Sequence, residues 1–180
     1  AGADYEAVSG ELTFAPGETQ HTFDVSILGD VTSETDESFS VKVGYSNRVN
    51  VSDETGEGWI LDNDPLIHVG NAEVIEGDSG QVVLSFPVSL SKATDKTITA
   101  DFTTLSNNAT PGVDYVAKSG TVTFTSGGSL EQTITVDVIG DTEVERNETF
   151  HLQLSNIVGA DLGNLEGTGT ILSDDGPVFS

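Results

Sequence analysis

Cysteine and methionine are both absent from this chain of 180 residues, and Trp59 is its only tryptophan. Without cysteine there is no disulfide framework, no thiolate metal site and no cysteine nucleophile. Basic residues are scarce: 6 Lys and Arg stand against 30 Asp and Glu, for a formal charge of −24. A surface so acidic repels phosphate backbones and anionic lipid, which argues against nucleic-acid binding and membrane-surface binding. No apolar run approaches the ~20 residues of a membrane span, so direct membrane insertion is not expected, and no signal-peptide pattern opens the chain. Catalytic signatures are missing too. There is no nucleophile elbow, phosphate loop or EF-hand loop, and His21, His68 and His151 are not at zinc-ligand spacing. Carboxylate pairs for glycoside hydrolysis abound in any acidic chain, but no cleft signature accompanies them here. The sequence therefore reads as a non-enzyme.

What is present is an internal repeat. Residues 4–14 (DYEAVSGELTF) match 114–124 (DYVAKSGTVTF) at an offset of 110. One inserted residue later the offset is 111, and FDVSILGD (23–30) matches ITVDVIGD (134–141). ETDESF (34–39) then matches ERNETF (145–150), and GWILDND (58–64) matches GTILSDD (169–175). Pro65-Leu66-Ile67 resembles Pro177-Val178-Phe179. The chain thus divides into the C-terminal half of one module (1–64), a complete module (65–176) and the start of another (177–180).

Period-two alternation marks the strands. In the complete module Val82, Leu84, Phe86, Val88 and Leu90 share one strand face, as do Ile98, Ala100 and Phe102 on the next. Val122 with Phe124, Ile134 with Val136 and Val138, and Phe150 with Leu152 and Leu154 continue the pattern, and a last strand near 165–172 carries Ile171. The half-module repeats it with Leu12, Phe14, Phe23, Val25, Ile27, Phe39, Val41 and Val43. About seven short strands in ~110 residues predict an all-β, immunoglobulin-like antiparallel sandwich in tandem array. Pro87 predicts that its strand is an edge or bulges there. The half-module lacks half a core, so it must gain strands from other residues or by swapping into a homo-oligomer.

The acids fall at strand ends. Asp141 closes one strand, Glu145 follows in the same loop, and Asp174-Asp175 follow a strand two steps later; strand parity places all four at one end of the sandwich. Glu76, in a first strand interrupted by Gly70 and Gly77, is within reach of that end. Such crowding raises carboxyl pKa values unless a hard cation is bound, and calcium accepts 6–8 oxygens in flexible geometry. Glu37 and Glu148 read as ordinary loop charges. Trp59 alternates with inward Ile60 and should point outward. Asn50, Asn108 and Asn147 begin N-x-S/T triplets of the sort that a Ser- and Thr-rich chain produces by chance.

EVIEG (73–77), DY (114–115), SGTVTF (119–124), VDVIGDTEVERNETF (136–150) and GTGTILSDD (167–175) together resemble the Calx-beta module of sodium–calcium exchangers and many bacterial surface proteins. The resemblance spans 65–176, and 4–64 is similar to its second half. It implies calcium held by carboxylates at the module's C-terminal end, which by motif fall on Glu76, Asp114, Asp141, Glu145, Asp174 and Asp175. In the half-module the corresponding acids are Asp4, Asp30, Glu34, Asp62 and Asp64, with Asn63 between the last two. Gly140 and Ser173 stand where the strongest binders have further acids, which implies fewer ions or affinities on the order of 10⁻⁴–10⁻³ M. The expectation is an extracellular or cell-surface structural or adhesive repeat. Its partners would be calcium, neighbouring modules, and a protein or glycan adhesion partner. The alternatives are a regulatory calcium sensor in a membrane protein, or a carbohydrate-binding or scaffolding module of a secreted enzyme.

Overall fold

A computed structural model describes residues 4–44 and 51–176. Asn50 and the expected module start at 177–180 lie outside the described residues. The chain divides into two compact units, one of residues 1–30 and 34–62, the other of 31–33 and 63–180.

Among the described residues of the second unit nine strands form two sheets. In chain order they are β3 (Leu66–Val69), β4 (Ala72–Ile75), β5 (Gly80–Leu90), β6 (Ile98–Ser106), β7 (Ser119–Phe124), β8 (Glu131–Gly140), β9 (Glu148–Val158), β10 (Asp161–Leu162) and β11 (Glu166–Leu172). One sheet runs β10-β3-β5-β8 and the other β4-β11-β9-β6-β7. The expected alternation is what closes them: Leu84, Phe86 and Val88 face Ile98, Phe150 and Leu152 in a core where each is at most 1% exposed. Each such side chain contributes about 1.5–3 kcal/mol on burial. Phe150 is held between two rings, stacked on Tyr115 at 4.1 Å and edge-on to Phe86 at 5.8 Å.

Three details differ from the sequence reading. The described residues of the unit form nine strands rather than about seven, because the first expected strand is split at Gly70-Asn71 and a two-residue strand, β10, is added. Two pairings are parallel, β10 with β3 and β11 with β4. And β5, which carries Pro87, is neither an edge nor bulged: it lies between β3 and β8, with Pro87 opposite Thr133. Proline is tolerated because β3 pairs with β5 only as far as Val69 opposite Val88. The Pro87 carbonyl accepts from Gly70 N at 2.8 Å, so its missing N–H faces the same side, beyond the end of the β3 ladder.

The first unit, taken by itself, repeats fragments of this design. Strands β1 (Glu37–Lys42) and β2 (Thr55–Ile60) pair antiparallel. Tyr5 bridges Ile27 as Tyr115 bridges Val138, and Tyr5 stacks on Phe39 at 4.7 Å as Tyr115 does on Phe150. The alternating segments 8–14 and 23–27 form no ladder among the described residues. Alternation specifies a strand face only when a second sheet is there to bury it. Trp59 points outward as expected, at 65% exposure.

Candidate metal centre

The end of the second unit at which β8 and β11 finish and β5 and β9 begin gathers its acids. Register explains why. Gly80 opposes Gly140, Ile75 opposes Leu172 and Glu148 opposes Ile171, so the turn after β4, the loop after β8 and the segment after β11 all meet there. Gly77 and Gly80 have φ of +76° and +82°, which only glycine adopts readily, and they form the turn that follows Glu76. A Cβ on Gly140 would overlap the carbonyl oxygen of Gly77 and lie 2.6 Å from that of Glu76. The position that could carry a further aspartate is therefore closed by the same packing that seats Glu76.

Two groups of three carboxylates form, with ligand oxygens within 4.8 Å of one another. The first is Glu76, Asp174 and Asp175; the second is Asp114, Glu145 and Glu148. Glu76 is 4% exposed and Asp114 6%. Backbone donors fix several members: Thr110 N donates to Asp114 at 2.6 Å, Gly77 N to Asp174 at 3.1 Å and Glu143 N to Asp141 at 2.7 Å. Asp141 belongs to neither trio, yet its charge raises the pKa of Glu76 and Asp175 in one and of Glu145 in the other. The structure thus brings together all six of the acids that the sequence placed at this end, and adds two more. Asp78, in the glycine turn, raises the pKa of Asp175. Glu148, read as a loop charge, is a member of the second trio.

The electrostatics are those of a site short of positive charge. Among the described residues none of these carboxylates has a Lys, Arg or His partner at ion-pair distance. Burial, and then the charges of neighbouring acids, hold Glu145 and Asp175 above the usual carboxylate range. Burial likewise raises Glu76, against the nearby Ser173 hydroxyl and together with Asp141, Glu145 and Asp175. Glu148 is pushed up to about 7 by burial, by a hydrogen bond shared with Asp114, and by the Asp114, Glu145 and Glu76 charges. Glu76 Oε1, Glu148 Oε2 and Asp175 Oδ2 are buried with no hydrogen-bond partner, so each trio contains at least one orphaned oxygen. A buried carboxylate oxygen without a donor is costly, and a cation removes the cost. Because every donor is oxygen, with no imidazole or thiolate, the set fits a hard divalent ion.

Stability of the cation-free protein therefore depends on pH with a definite sign. Glu148 binds its proton more tightly folded (about 7) than unfolded (4.5). Its stabilising contribution is complete below about pH 4.5 and is lost as pH rises through 7. Glu76, Glu145 and Asp175 act in the same direction. In EDTA the second unit should be more stable at pH 5 than at pH 7.5, by roughly 1–3 kcal/mol in urea denaturation. Equal stability at the two values would show that Glu148 is not buried among like charges.

The first unit carries a looser version. Burial and the charges of Asp30, Asp4, Glu37 and Asp62, in that order, raise the pKa of Glu34. Glu34 N donates to Asp62 at 3.0 Å, and Asp62 N to Asp36 at 3.0 Å. Among the described residues no trio as tight as those of the second unit forms there. Asp64, grouped with these acids by sequence, falls in the second unit, 6% exposed and paired with Lys96 Nζ at 2.5 Å.

Comparison with known proteins agrees with the geometry. The Calx-beta domain profile matches residues 1–64 and 62–175. The chain is 30% identical to adhesion G-protein coupled receptor V1 of Danio rerio over 98% of its own length but 3% of the receptor's. Against sodium/calcium exchanger 1 of Rattus norvegicus it is 29% identical, over 86% of this chain and 18% of the exchanger. Extracellular matrix organizing protein FRAS1 of Homo sapiens is 29% identical over 90% of this chain and 4% of that protein. The chain thus spans less than a fifth of the length of these relatives. Among solved structures, the calcium binding domain CBD12 of CALX1.1 superposes with a TM-score of 0.54 at 25% identity, covering 61% of this chain and 46% of that one. The apo-form Calx CBD1 domain superposes at 0.50 and 24% identity, with 61% of this chain on 99% of that one. The chain belongs to the Calx-beta domain family.

Proposed function

We propose that the second unit, residues 65–176, is a calcium-binding module of a tandem array, and that calcium at its acidic end neutralises charge and stiffens the array. Glu76, Asp174 and Asp175 would hold one ion, Asp114, Glu145 and Glu148 a second, with Asp141 between them. The observation that carries this reading is the set of three buried carboxylate oxygens without a donor, on Glu76, Glu148 and Asp175. The first unit would bind more weakly through Asp4, Asp30, Glu34 and Asp62, because among the described residues its acids do not close into a trio. An extracellular or cell-surface setting is favoured by the names of the matrix protein and the adhesion receptor among the relatives. Calcium there is abundant enough to fill sites on the order of 10⁻⁴–10⁻³ M.

Calorimetric titration tests the assignment. Calcium should bind with such an affinity and magnesium much more weakly, since magnesium needs a tight octahedron that side chains from three loops do not offer. Glu76→Gln and Glu148→Gln should each weaken binding by about tenfold or more, the loss of one ligand charge at a shared site costing about 1.4 kcal/mol or more. Absence of calcium binding at 10 mM, or unchanged affinity in both variants, rejects the reading. The exchanger relatives support a second one, a regulatory sensor in a membrane protein. A steep transition at micromolar calcium in the same titration would select it.

A further inference from the structure

Along one side of the second unit both sheets end, one at β7 and the other at β8. Between these edges lies a groove of about 260 Å³, lined by Phe102, Lys118, Val122, Gln132, Ile134 and Thr135 among others. The two edges are finished differently. In β8 the odd-numbered residues turn their backbone groups outward, since Val116 N donates to Asp137 O and Ile139 N to Asp114 O, each at 2.8 Å. Most of that edge is capped. Residues 114–116 cover 137–139, and Lys118 Nζ donates to Thr135 O at 2.6 Å. The Ser129 hydroxyl donates to Glu131 O at 2.9 Å and accepts from Glu131 N at 3.2 Å. Capping of this kind keeps a sheet edge from pairing with another chain.

The β7 edge is bare. Thr104 N donates to Lys118 O, so the even-numbered residues of β7 face β6, and Ser119, Thr121 and Thr123 turn their backbone groups outward. None of those N–H and C=O groups has a partner among the described residues. The strand is nonetheless fixed, because Thr121 Oγ1 donates to Asp101 at 2.7 Å and Asn156 Nδ2 to the same carboxylate at 2.9 Å. We infer that this edge is a docking site for an extended segment of another protein, which adds to β7 as a further strand of its sheet.

The groove specifies the chemistry of the segment. An antiparallel strand continues the alternation of β9, β6 and β7. Its residues opposite Ser119, Thr121 and Thr123 share the outer, hydroxyl-bearing face, and those opposite Gly120 and Val122 point into the groove. Opposite Val122 the walls are Val122 itself and Ile134, which suit a small apolar side chain. Beside Gly120 stands Lys118, whose amine reaches across to β8 and has no carboxylate at ion-pair distance among the described residues. A carboxylate two residues after the apolar one meets that amine, while a strand N–H replaces it as a backbone partner along the edge. The segment thus reads apolar-x-acid between hydroxyl or other polar residues. A second copy of this chain is a poor occupant. In a β7–β7 pair each Lys118 would lie opposite Phe124, and residues 122–130 contain no acid to receive it. The pair would also bring together two chains of formal charge −24.

The inference is independent of metal binding and is tested on the full chain in EDTA. The probe is the peptide acetyl-Arg-Thr-Val-Thr-Glu-Thr-amide at 5 mM, with amide hydrogen exchange read by NMR at Ser119, Thr121 and Thr123. Exchange there should slow about fivefold, as for a site of ~10⁻³ M in which only the unoccupied edge exchanges. Lys118→Gln should reduce the slowing to about twofold or less, and should make no difference to a peptide with glutamine in place of its glutamate. Three results would each overturn the inference. One is no slowing at 5 mM peptide. Another is undiminished slowing by a peptide N-methylated at its central threonine, which cannot donate to the edge. The third is slowing without peptide that grows with protein concentration, since the occupant would then be a second copy.

Discussion

Replacing 10 mM calcium by EDTA at pH 7.5 is expected to lower the melting temperature of the second unit by about 10–15 °C. A ligand that binds only the folded state stabilises it by RT ln(1 + [L]/Kd), which is about 2.7 kcal/mol for one site at a hundred times Kd. A site of ~10⁻⁴ M is in that regime at 10 mM, and a domain of this size shifts by about 4–6 °C per kcal/mol. The gain should shrink at pH 5, because protons already occupy the raised carboxyls and calcium must displace them. Sodium chloride at matched ionic strength provides the discriminating control. Screening acts on exposed charges separated by more than ~10 Å, whereas Glu76 and Asp114 are more than nine-tenths buried. If sodium chloride raised melting as far as calcium does, the acidic end would be a diffuse charged surface and not a site.

How much of this site was legible in the sequence depended on the kind of residue. The repeat and the turn spacing located Asp141, Glu145, Asp174 and Asp175 through strand parity alone, since loops of a sandwich alternate between its ends. Glu148 escaped, although the signal was available. It stands two residues before Phe150, hence on the same strand face as Phe150 and Leu152, and that face points inward at the mouth of the sandwich. Asp78 gave no such signal: it sits in a turn whose direction is set by the positive φ of Gly77 and Gly80. Parallel pairing of β4 with β11 was equally hidden, because it depends on the break at Gly70-Asn71 carrying the chain from one sheet to the other. Pro87 misled for a related reason. Whether a proline's absent donor matters is decided by how far the neighbouring strand extends, and β3 stops just short of it.

Phe150→Ala is expected to destabilise the second unit by about 3–5 kcal/mol, the usual cost of deleting a buried aromatic side chain. Phe150 is fully buried, stacked on Tyr115 and edge-on to Phe86, so truncation leaves a cavity that rings from both sheets would have to collapse to fill. Against a total stability of about 5–15 kcal/mol for such a domain, that loss could unfold it at 37 °C. The same substitution at the repeat partner, Phe39→Ala, should cost less than about 1.5 kcal/mol in the chain as it stands, because Phe39 is only half-buried and has one ring neighbour to lose. Urea denaturation separates the two. Trp59, the only tryptophan, reports on the first unit by fluorescence, and far-ultraviolet circular dichroism is dominated by the nine strands of the second. Equal losses at the two positions would mean that Phe39 already has the second partner that its exposed face lacks.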